Sequence, residues 1–326
     1  MRHSICLGIF LFAIFWSRST PAAESPTVPA ADRVELKQDD GQGVLQVLVD
    51  GRETFAYQYG HVDMPHLYPV RSPSGKLLTV QKTDPFPHHR SVWFGDTVQL
   101  EGQRVTSFYQ PLYSQVDKKD PASAYRDRIR HIKFLAAEVA DGRAKLGMQL
   151  RWEADLGAVP VMDDVQEIRV VPLGAGEYFL DCKYTVTAAY GDVTFRSDAV
   201  HYAWPYIRIH PQFSGPQGAT ITNSEGATGE AGTLMQPARW VDYSNNVEGV
   251  TEGLTVFANP GAPPPKFFTR AYGTFGPRRP DEQSGKPFVV KQGESLVQRI
   301  GLLIHNGDVQ TGRVEQRYQQ FAEGKL

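Results

Sequence analysis

The stretch that decides the fold class is Glu177-Tyr-Phe-Leu-Asp-Cys-Lys-Tyr-Thr-Val-Thr187. Apolar side chains recur at every second position from Tyr178 to Val186, and polar side chains fill most of the positions between them. Successive side chains of a strand point to opposite faces, so this alternation predicts an antiparallel strand with one face on a core. Residues 146–152 repeat the pattern.

Similar segments follow one another along the chain, separated by turn signals such as Asp141-Gly142. Further candidate strands are 44–49, 54–59, 77–81, 91–100, 167–171, 239–244, 254–258, 267–275 and 296–305. Only the C-terminus is typical of a helix, because Val314, Tyr318 and Phe321 share one stripe, with Asp308 placed to cap it. We therefore predict an all-β chain, a large antiparallel β-sandwich with one C-terminal α-helix.

The N-terminus has the features of a signal peptide. Arg2 and His3 precede an apolar run over residues 5–16, which is too short to span a bilayer comfortably, and Ala22 and Ala23 follow it. We predict a signal peptide over residues 1–23, cleaved after Ala22 or Ala23 or, as the alternative, after Ala30, then a flexible leader over 24–33 and a single domain over 34–326. The mature chain is then exported, periplasmic or extracellular, without integral membrane association; an uncleaved membrane anchor is the alternative.

Charge and cysteine content exclude several classes of function. Removal of residues 1–23 takes away two of the 34 basic side chains and none of the 36 acidic ones, so 32 − 36 gives the mature chain a net charge of −4. This balance has no electrostatic footprint for nucleic acid or for anionic lipid. Cys182 is then the only cysteine, so an internal disulfide is excluded.

Chemistry-bearing residues are densest in Asp84-Pro-Phe-Pro-His-His-Arg-Ser-Val-Trp-Phe-Gly-Asp96. The two prolines stiffen the approach to the histidines. We take His88 and His89 as catalytic candidates and Arg90 and Trp93 as substrate-binding candidates. On an extended chain the two histidines would point to opposite faces, so only one would face a given site unless the backbone bends, and Arg90 would share a side with His88.

A second group of candidates lies between residues 223 and 272. A glycine-rich loop presents Glu225 and Glu230, which are catalytic candidates or else solvated loop acids. Substrate-binding candidates on the segments that follow are Arg239, Asp242, Arg270 and Tyr272, where the last two line a cleft or form a cross-strand pair.

The segment His61-Val-Asp63-Met-Pro-His66 is a weak metal-binding candidate. His61 and Asp63 would point the same way on an extended chain, which suits a metal or a histidine–carboxylate pair, and His61 and His66 would otherwise bond to the backbone. Zinc would need ligands from elsewhere. No cofactor is firmly implied, and a divalent metal is an open alternative.

Several motifs occur in the order of a known family. They are Leu67-Tyr-Pro69, Pro87-His-His-Arg-Ser-Val-Trp-Phe94, Asn223-Ser-Glu-Gly226, Ala238-Arg-Trp-Val-Asp-Tyr243 and Arg270-Ala-Tyr-Gly273. Over roughly residues 45–325 the chain resembles the bacterial PmoA-like family, labelled "methane oxygenase PmoA" and in effect a domain family of unknown function. The resemblance implies an exported β-sandwich, galactose-mutarotase-like or related. Residues 95–102 depart from the His-Gly-Asp-x-Asn-Gly segment that members often carry there.

Three functions are compatible with these residues. The first is a carbohydrate-active hydrolase, lyase or epimerase, in which His88 or His89 is the acid, Glu225 or Glu230 is the base, and a small-molecule or saccharide ligand is bound. The second is a non-catalytic carbohydrate-binding or scaffold sandwich. The third is the metal-dependent oxygenase of the family label, with His61, His66, His88 and His89 as ligands.

Overall fold

The computed structural model describes Met1 and residues 34–111, 126–196, 203–261, 263–279 and 286–326. The predicted signal peptide after Met1 and the predicted leader lie outside the described residues. The strands, in chain order, are β1 Val34–Asp39, β2 Val44–Val49, β3 Arg52–Gln58, β4 His66–Val70, β5 Val92–Trp93, β6 Thr97–Leu100, β7 Val105–Ser107, β8 Arg128–Ala140, β9 Arg143–Ala154, β10 Val159–Gly174, β11 Glu177–Thr187, β12 Val193–Phe195, β13 Tyr206–Arg208, β14 Thr220–Asn223, β15 Trp240–Val247, β16 Val250–Ala258, β17 Phe267–Thr269, β18 Thr274–Pro277, β19 Phe288–Val290 and β20 Ser295–Asn306. The α-helices among the described residues are α1 Gly229–Thr233 and α2 Val314–Ala322.

These strands form three antiparallel sheets. The first sheet has the order β1-β2-β3-β4-β5-β13-β18-β17, and the second has the order β14-β15-β16-β20-β11-β10-β9-β8. A smaller third sheet has the order β19-β12-β6-β7. The stretch that alternates most regularly is β11, which pairs with β10 on one side and with β20 on the other. The alternation of apolar and polar residues in 177–187 therefore belongs to a central strand of the second sheet.

The two large sheets share one core. A continuous buried cluster contains Phe55 and Ile207 of the first sheet together with Leu146 and Leu180 of the second. Cys182 of β11 lies in the same cluster. The predicted all-β chain with large antiparallel sheets is confirmed. Among the described residues, neither helix is long and apolar enough to cross a bilayer.

The C-terminal helix is confirmed, but its predicted cap is wrong. Phe321 of α2 packs against Phe179 and Phe257, with ring centroids 5.3 and 6.0 Å away. The helix begins at Val314, and Asp308 instead accepts hydrogen bonds from the backbone N–H groups of Gln310 and Thr311 in the turns before it. The short helix α1 was not predicted.

Three predicted strands are interrupted. Residues 91–100 form two strands, because the chain at Gly95 approaches a neighbouring segment closely: a Cβ there would lie 2.3 Å from the Phe108 carbonyl oxygen. Residues 267–275 form a hairpin, β17 and β18, with a turn between them. Residues 77–81 make only single bridges, Arg71 to Leu77 and Thr79 to Ile209.

Strand pairing at the centre of the first sheet sets one face for the candidate site. Trp93 pairs with Tyr206, and Arg208 pairs with Thr274. Residues that pair directly across antiparallel strands share a face, and Tyr206 and Arg208 share one by alternation, so these four side chains lie on the same side of the sheet. Phe94, one residue after Trp93, faces the second sheet and stacks on Tyr184 at 4.5 Å.

Candidate functional site

His88 and His89 lie on a turn rather than on a strand. The backbone N–H of His89 donates to the Phe86 carbonyl at 3.0 Å, and the N–H of Lys82 donates to the His89 carbonyl at 2.8 Å. These bonds close the segment over itself and bring the two imidazoles together, with ring centroids 4.6 Å apart. The expectation that the two histidines point apart is therefore wrong, because it assumed extended backbone.

The histidines lie among aromatic rings, which we call the histidine–aromatic cluster: His88, His89, Phe86, Trp93, Tyr109, Tyr206 and Tyr272. The ring of His89 stacks on Phe86 at 4.7 Å and lies 5.5 Å from Trp93. The Tyr109 hydroxyl is 3.5 Å from Nε2 of His89, and Phe86 stacks on Tyr272 at 5.6 Å. Phe86, His88 and Tyr272 are each half-buried, so the cluster has an accessible edge.

Burial keeps both imidazoles uncharged at neutral pH. Desolvation and the charge of Arg90 lower the pKa of His88 to about 4. Desolvation, His88 and two arginines lower the pKa of His89 to about 3. Nδ1 of His89 is buried and has no hydrogen-bond partner among the described residues. Neutral imidazoles carry one lone pair that can accept a proton.

Arg90 holds the turn that carries His88 and His89 in place. Its buried guanidinium pairs with the buried carboxylate of Asp63 and donates to the Pro87 carbonyl at 3.1 Å. Burial raises the pKa of Asp63, but its hydrogen bond with His61 and the charge of Arg90 outweigh burial, so that pKa lies below its ordinary value. Arg90, a substrate-binding candidate, is committed to an internal ion pair.

The residues of the weak metal candidate are bonded to protein groups. His61 Nδ1 bonds to Asp63, which gives the histidine–carboxylate pair that the spacing suggested. His66 is buried between the Met64 carbonyl at 3.1 Å and the Gln81 side chain at 2.8 Å. Desolvation lowers the pKa of His66 to about 4. Within the described ranges there is no group of three or more His, Cys, Asp or Glu arranged to hold a metal ion.

Glu230 reaches the cluster through the turn that carries Tyr272. Its carboxylate accepts a hydrogen bond from the Ala271 N–H at 2.6 Å and lies 3.3 Å from Nε of Arg270. The Arg270 guanidinium lies 5.8 Å from the centroid of the Tyr272 ring. Glu230 and Arg270 thus hold the turn that places Tyr272 beside Phe86.

Glu225 lies elsewhere, on an open cavity of about 480 Å³. Its backbone N–H donates to the Asn223 side chain at 3.0 Å, and its exposed carboxylate accepts from Ser224 at 2.8 Å. The cavity is lined by Asn223, Glu225, Ala227, Gly232, Gln236, Pro237 and Pro264. The lining residues include no member of the histidine–aromatic cluster and a single carboxylate, that of Glu225. We therefore place the candidate chemistry at the cluster.

Arg239 and Asp242 are also not brought to the cluster. Arg239 pairs with Glu315 of α2 at 3.3 Å. Asp242 is fully buried, 2.8 Å from Nε2 of His305, and accepts from Thr255 at 2.7 Å. These two candidates therefore join β15 to the C-terminal helix and to the core.

Arg208 belongs to the site, although sequence reasoning did not select it. It is only 6% exposed, its guanidinium lies 4.8 Å from the centroid of the Tyr272 ring, and it donates to the Tyr272 carbonyl. Burial lowers its pKa. The signal in the sequence was Tyr206-Ile-Arg-Ile-His210, where polar groups alternate with isoleucines on a short apolar strand.

Comparison with known proteins gives a family and several distant folds. A family model described as a family of unknown function, DUF6807, matches residues 44–319. None of the curated proteins compared with the chain matches it.

Solved structures resemble the chain only weakly. One is a polysaccharide lyase (12% identity, TM-score 0.38), and the match covers 87% of this chain and 34% of the lyase chain, about a third of its length. A galactose 1-epimerase from Lactobacillus acidophilus (9% identity, TM-score 0.38) is matched over 85% of this chain and 100% of its own. A GH36 α-galactosidase from Geobacillus stearothermophilus (11% identity, TM-score 0.31) is matched over 86% and 42%.

Proposed function

We propose that this chain, which belongs to the DUF6807 family of unknown function, is a carbohydrate-active enzyme that binds a saccharide at the histidine–aromatic cluster. The observation that carries the proposal is the juxtaposition of two neutral imidazoles, 4.6 Å apart, with an accessible pair of stacked aromatic rings. A sugar ring needs both features: an aromatic face for its C–H groups and polar groups for its hydroxyls.

The stacked rings of Phe86 and Tyr272 supply the apolar surface. Both are half-buried, so each keeps part of its ring accessible. Aromatic side chains combine a large apolar body with fixed geometry, and Tyr adds a polar tip. A saccharide against the accessible edge of this pair would lie near His88, whose ring centroid is 6.2 Å from that of Phe86.

The histidines supply a base. Because the pKa values of His88 and His89 are about 4 and about 3, both imidazoles are unprotonated at neutral pH, and each has a nitrogen lone pair that can act as a general base toward a hydroxyl, a water or an activated C–H group of the substrate. Tyr109, whose hydroxyl lies 3.5 Å from His89, is placed to pass a proton. The role of histidine thus changes from the acid first assigned to a base, and Glu230 takes no part in the chemistry, since it is held by Ala271 and Arg270.

The test measures binding and turnover on a panel of neutral and acidic oligosaccharides. We expect wild-type protein to convert at least one of them, and His88→Gln with His89→Gln to lower kcat at least roughly 100-fold, the usual contribution of a positioned base. His131→Gln is the matched control, because burial also lowers the pKa of that histidine to about 4, on β8 outside the cluster. Unchanged turnover in the double variant would refute the assignment.

Two alternatives give different outcomes in the same experiment. Saccharide binding without turnover, weakened by Tyr272→Ala, would identify a binding module. Stoichiometric copper, iron or zinc in purified protein, together with oxidised sugar or hydrocarbon products, would identify the metal-dependent oxygenase of the PmoA label.

We also propose that the chain is exported, which rests on the composition of residues 1–23.

A further inference from the structure

Arg208 is a buried cation with no counter-charge in the described part of the chain. Its guanidinium donates to the Tyr272 carbonyl and lies by the Tyr272 ring, and its Nε has no acceptor among the described residues. No carboxylate among the described residues lies within ion-pair distance of it. A charge removed from water in this way is costly unless it is paired.

Two other buried arginines are paired with carboxylates. Arg90 pairs with Asp63, and Arg279 lies 2.5 Å from Asp96, with all four side chains at most 2% exposed. Arg208 has no such carboxylate among the described residues.

Neighbouring donors on the same face of the sheet are open as well. Thr274 pairs with Arg208, and Trp93 pairs with Tyr206 on the same face; the indole Nε1 of Trp93 and Oγ1 of Thr274 are buried without a hydrogen-bond partner among the described residues. Nδ1 of His89 is also buried without a hydrogen-bond partner among the described residues. Buried polar groups are rarely left unpaired in folded proteins, so several on one face of the sheet provide hydrogen-bonding groups for a polar ligand.

The backbone is shaped to hold this guanidinium. Gly273 has a φ of +101°, and a Cβ there would lie 3.2 Å from Nη1 of Arg208 and 3.0 Å from Cβ of Ile209. Glycine adopts this conformation without strain, which lets the turn fold closely over Arg208 and turn the Tyr272 carbonyl toward it. Arg208 is thus fixed in place before any ligand arrives.

We propose that Arg208 forms an oxyanion-binding subsite and that the substrate is an acidic saccharide, its carboxylate or sulfate paired with the guanidinium. This inference rests on the proposed function, because it names the class of saccharide. The planar guanidinium matches such oxyanions through two parallel hydrogen bonds, and a fully desolvated pair of this kind is stronger than a neutral one. Burial is the main cause of the low pKa of His89, and the charge of Arg208 adds to it, so a bound anion would offset the contribution of Arg208 and raise that pKa.

The test compares matched saccharides on wild-type protein by titration calorimetry. The ligands are a uronate oligosaccharide, the neutral oligosaccharide in which each carboxylate is a primary alcohol, and a sulfated oligosaccharide of the same length. We expect the acidic forms to bind about 10- to 100-fold more tightly than the neutral form, the range for a hydrogen bond to a charged group. The uronate and sulfate arms identify which oxyanion is accommodated.

Variants assign the preference to Arg208. Arg208→Gln should bring the ratio of acidic-ligand to neutral-ligand affinity down toward one, while Arg52→Gln, an exposed charge, leaves that ratio unchanged. Arg208→Met, which keeps the length of the stem, serves if the first variant does not fold. Equal or tighter binding of the neutral form by wild-type protein overturns the inference and leaves the proposed function intact. A failure of every saccharide to bind overturns the proposed function itself.

Discussion

Replacing Asp63 by Asn should destabilise the protein strongly, because it leaves Arg90 charged and unpaired in the interior. The two side chains are 2% and 0% exposed. Removing one partner of a buried ion pair typically costs about 3–5 kcal/mol, since the remaining charge stays desolvated. Arg90 also donates to the Pro87 carbonyl at 3.1 Å, so the turn that carries His88 and His89 should loosen with it.

The assay is urea unfolding at pH 7, followed by tryptophan fluorescence and by circular dichroism. Glu53→Gln is the matched control: it breaks the Glu53–Arg71 ion pair, whose side chains are 23% and 31% exposed, and such a pair contributes at most about 1 kcal/mol. A second comparison replaces both partners, with Asp63→Leu and Arg90→Met together. This double variant should lose less stability than Asp63→Asn alone, because no charge is left buried.

A loss below about 1 kcal/mol for Asp63→Asn, or one no larger than that of Glu53→Gln, would refute the reasoning. It would mean that Arg90 is solvated or paired elsewhere, and the turn would then not depend on Asp63.

Three further predictions concern the core and the N-terminus. Burial lowers the pKa of His305, but the charge and hydrogen bond of Asp242 outweigh burial, so the pKa of His305 lies above its ordinary value. The His305–Asp242 pair therefore stabilises the protein fully below about pH 6.5 and less as the pH rises through the pKa of the folded state. His305→Gln should lower the free energy of unfolding more at pH 5.5 than at pH 9 in urea titrations, and the opposite order would contradict the pairing. Phe321→Ala should cost about 3–5 kcal/mol by the same assay, because its ring is fully buried against Phe179 and Phe257; a loss under about 1 kcal/mol would show that α2 packs loosely. N-terminal sequencing of protein from the periplasm or medium should begin after Ala22 or Ala23, or else after Ala30, and full-length protein in the cytoplasm would contradict export.

The regular strands could be predicted from the sequence because their alternation is a local property. Residues 178–186 alternate as the central strand β11 does, and the stripe of α2 is equally local. The break within residues 91–100 depends on the approach of Gly95 to Phe108, which no local pattern contains. Strand interruptions of this kind are decided by packing between segments distant in sequence.

The candidate site was predicted in part, and its errors have the same origin. His88 and His89 were selected by composition, but their mutual orientation follows from a turn that the strand assumption excluded. Arg90 and Arg208 look alike in sequence, and only the fold shows that Asp63 neutralises the first and that no described carboxylate neutralises the second. Whether a buried charge has a partner depends on the three-dimensional fold.

The central claim, that the histidine–aromatic cluster binds saccharide, is tested most directly by a crystal structure of the protein with a bound acidic oligosaccharide. We predict a sugar ring on Phe86 and Tyr272, a hydroxyl within hydrogen-bond distance of His88 or His89, and an oxyanion on Arg208. A saccharide found instead in the cavity beside Glu225, with the cluster unoccupied, would contradict the claim.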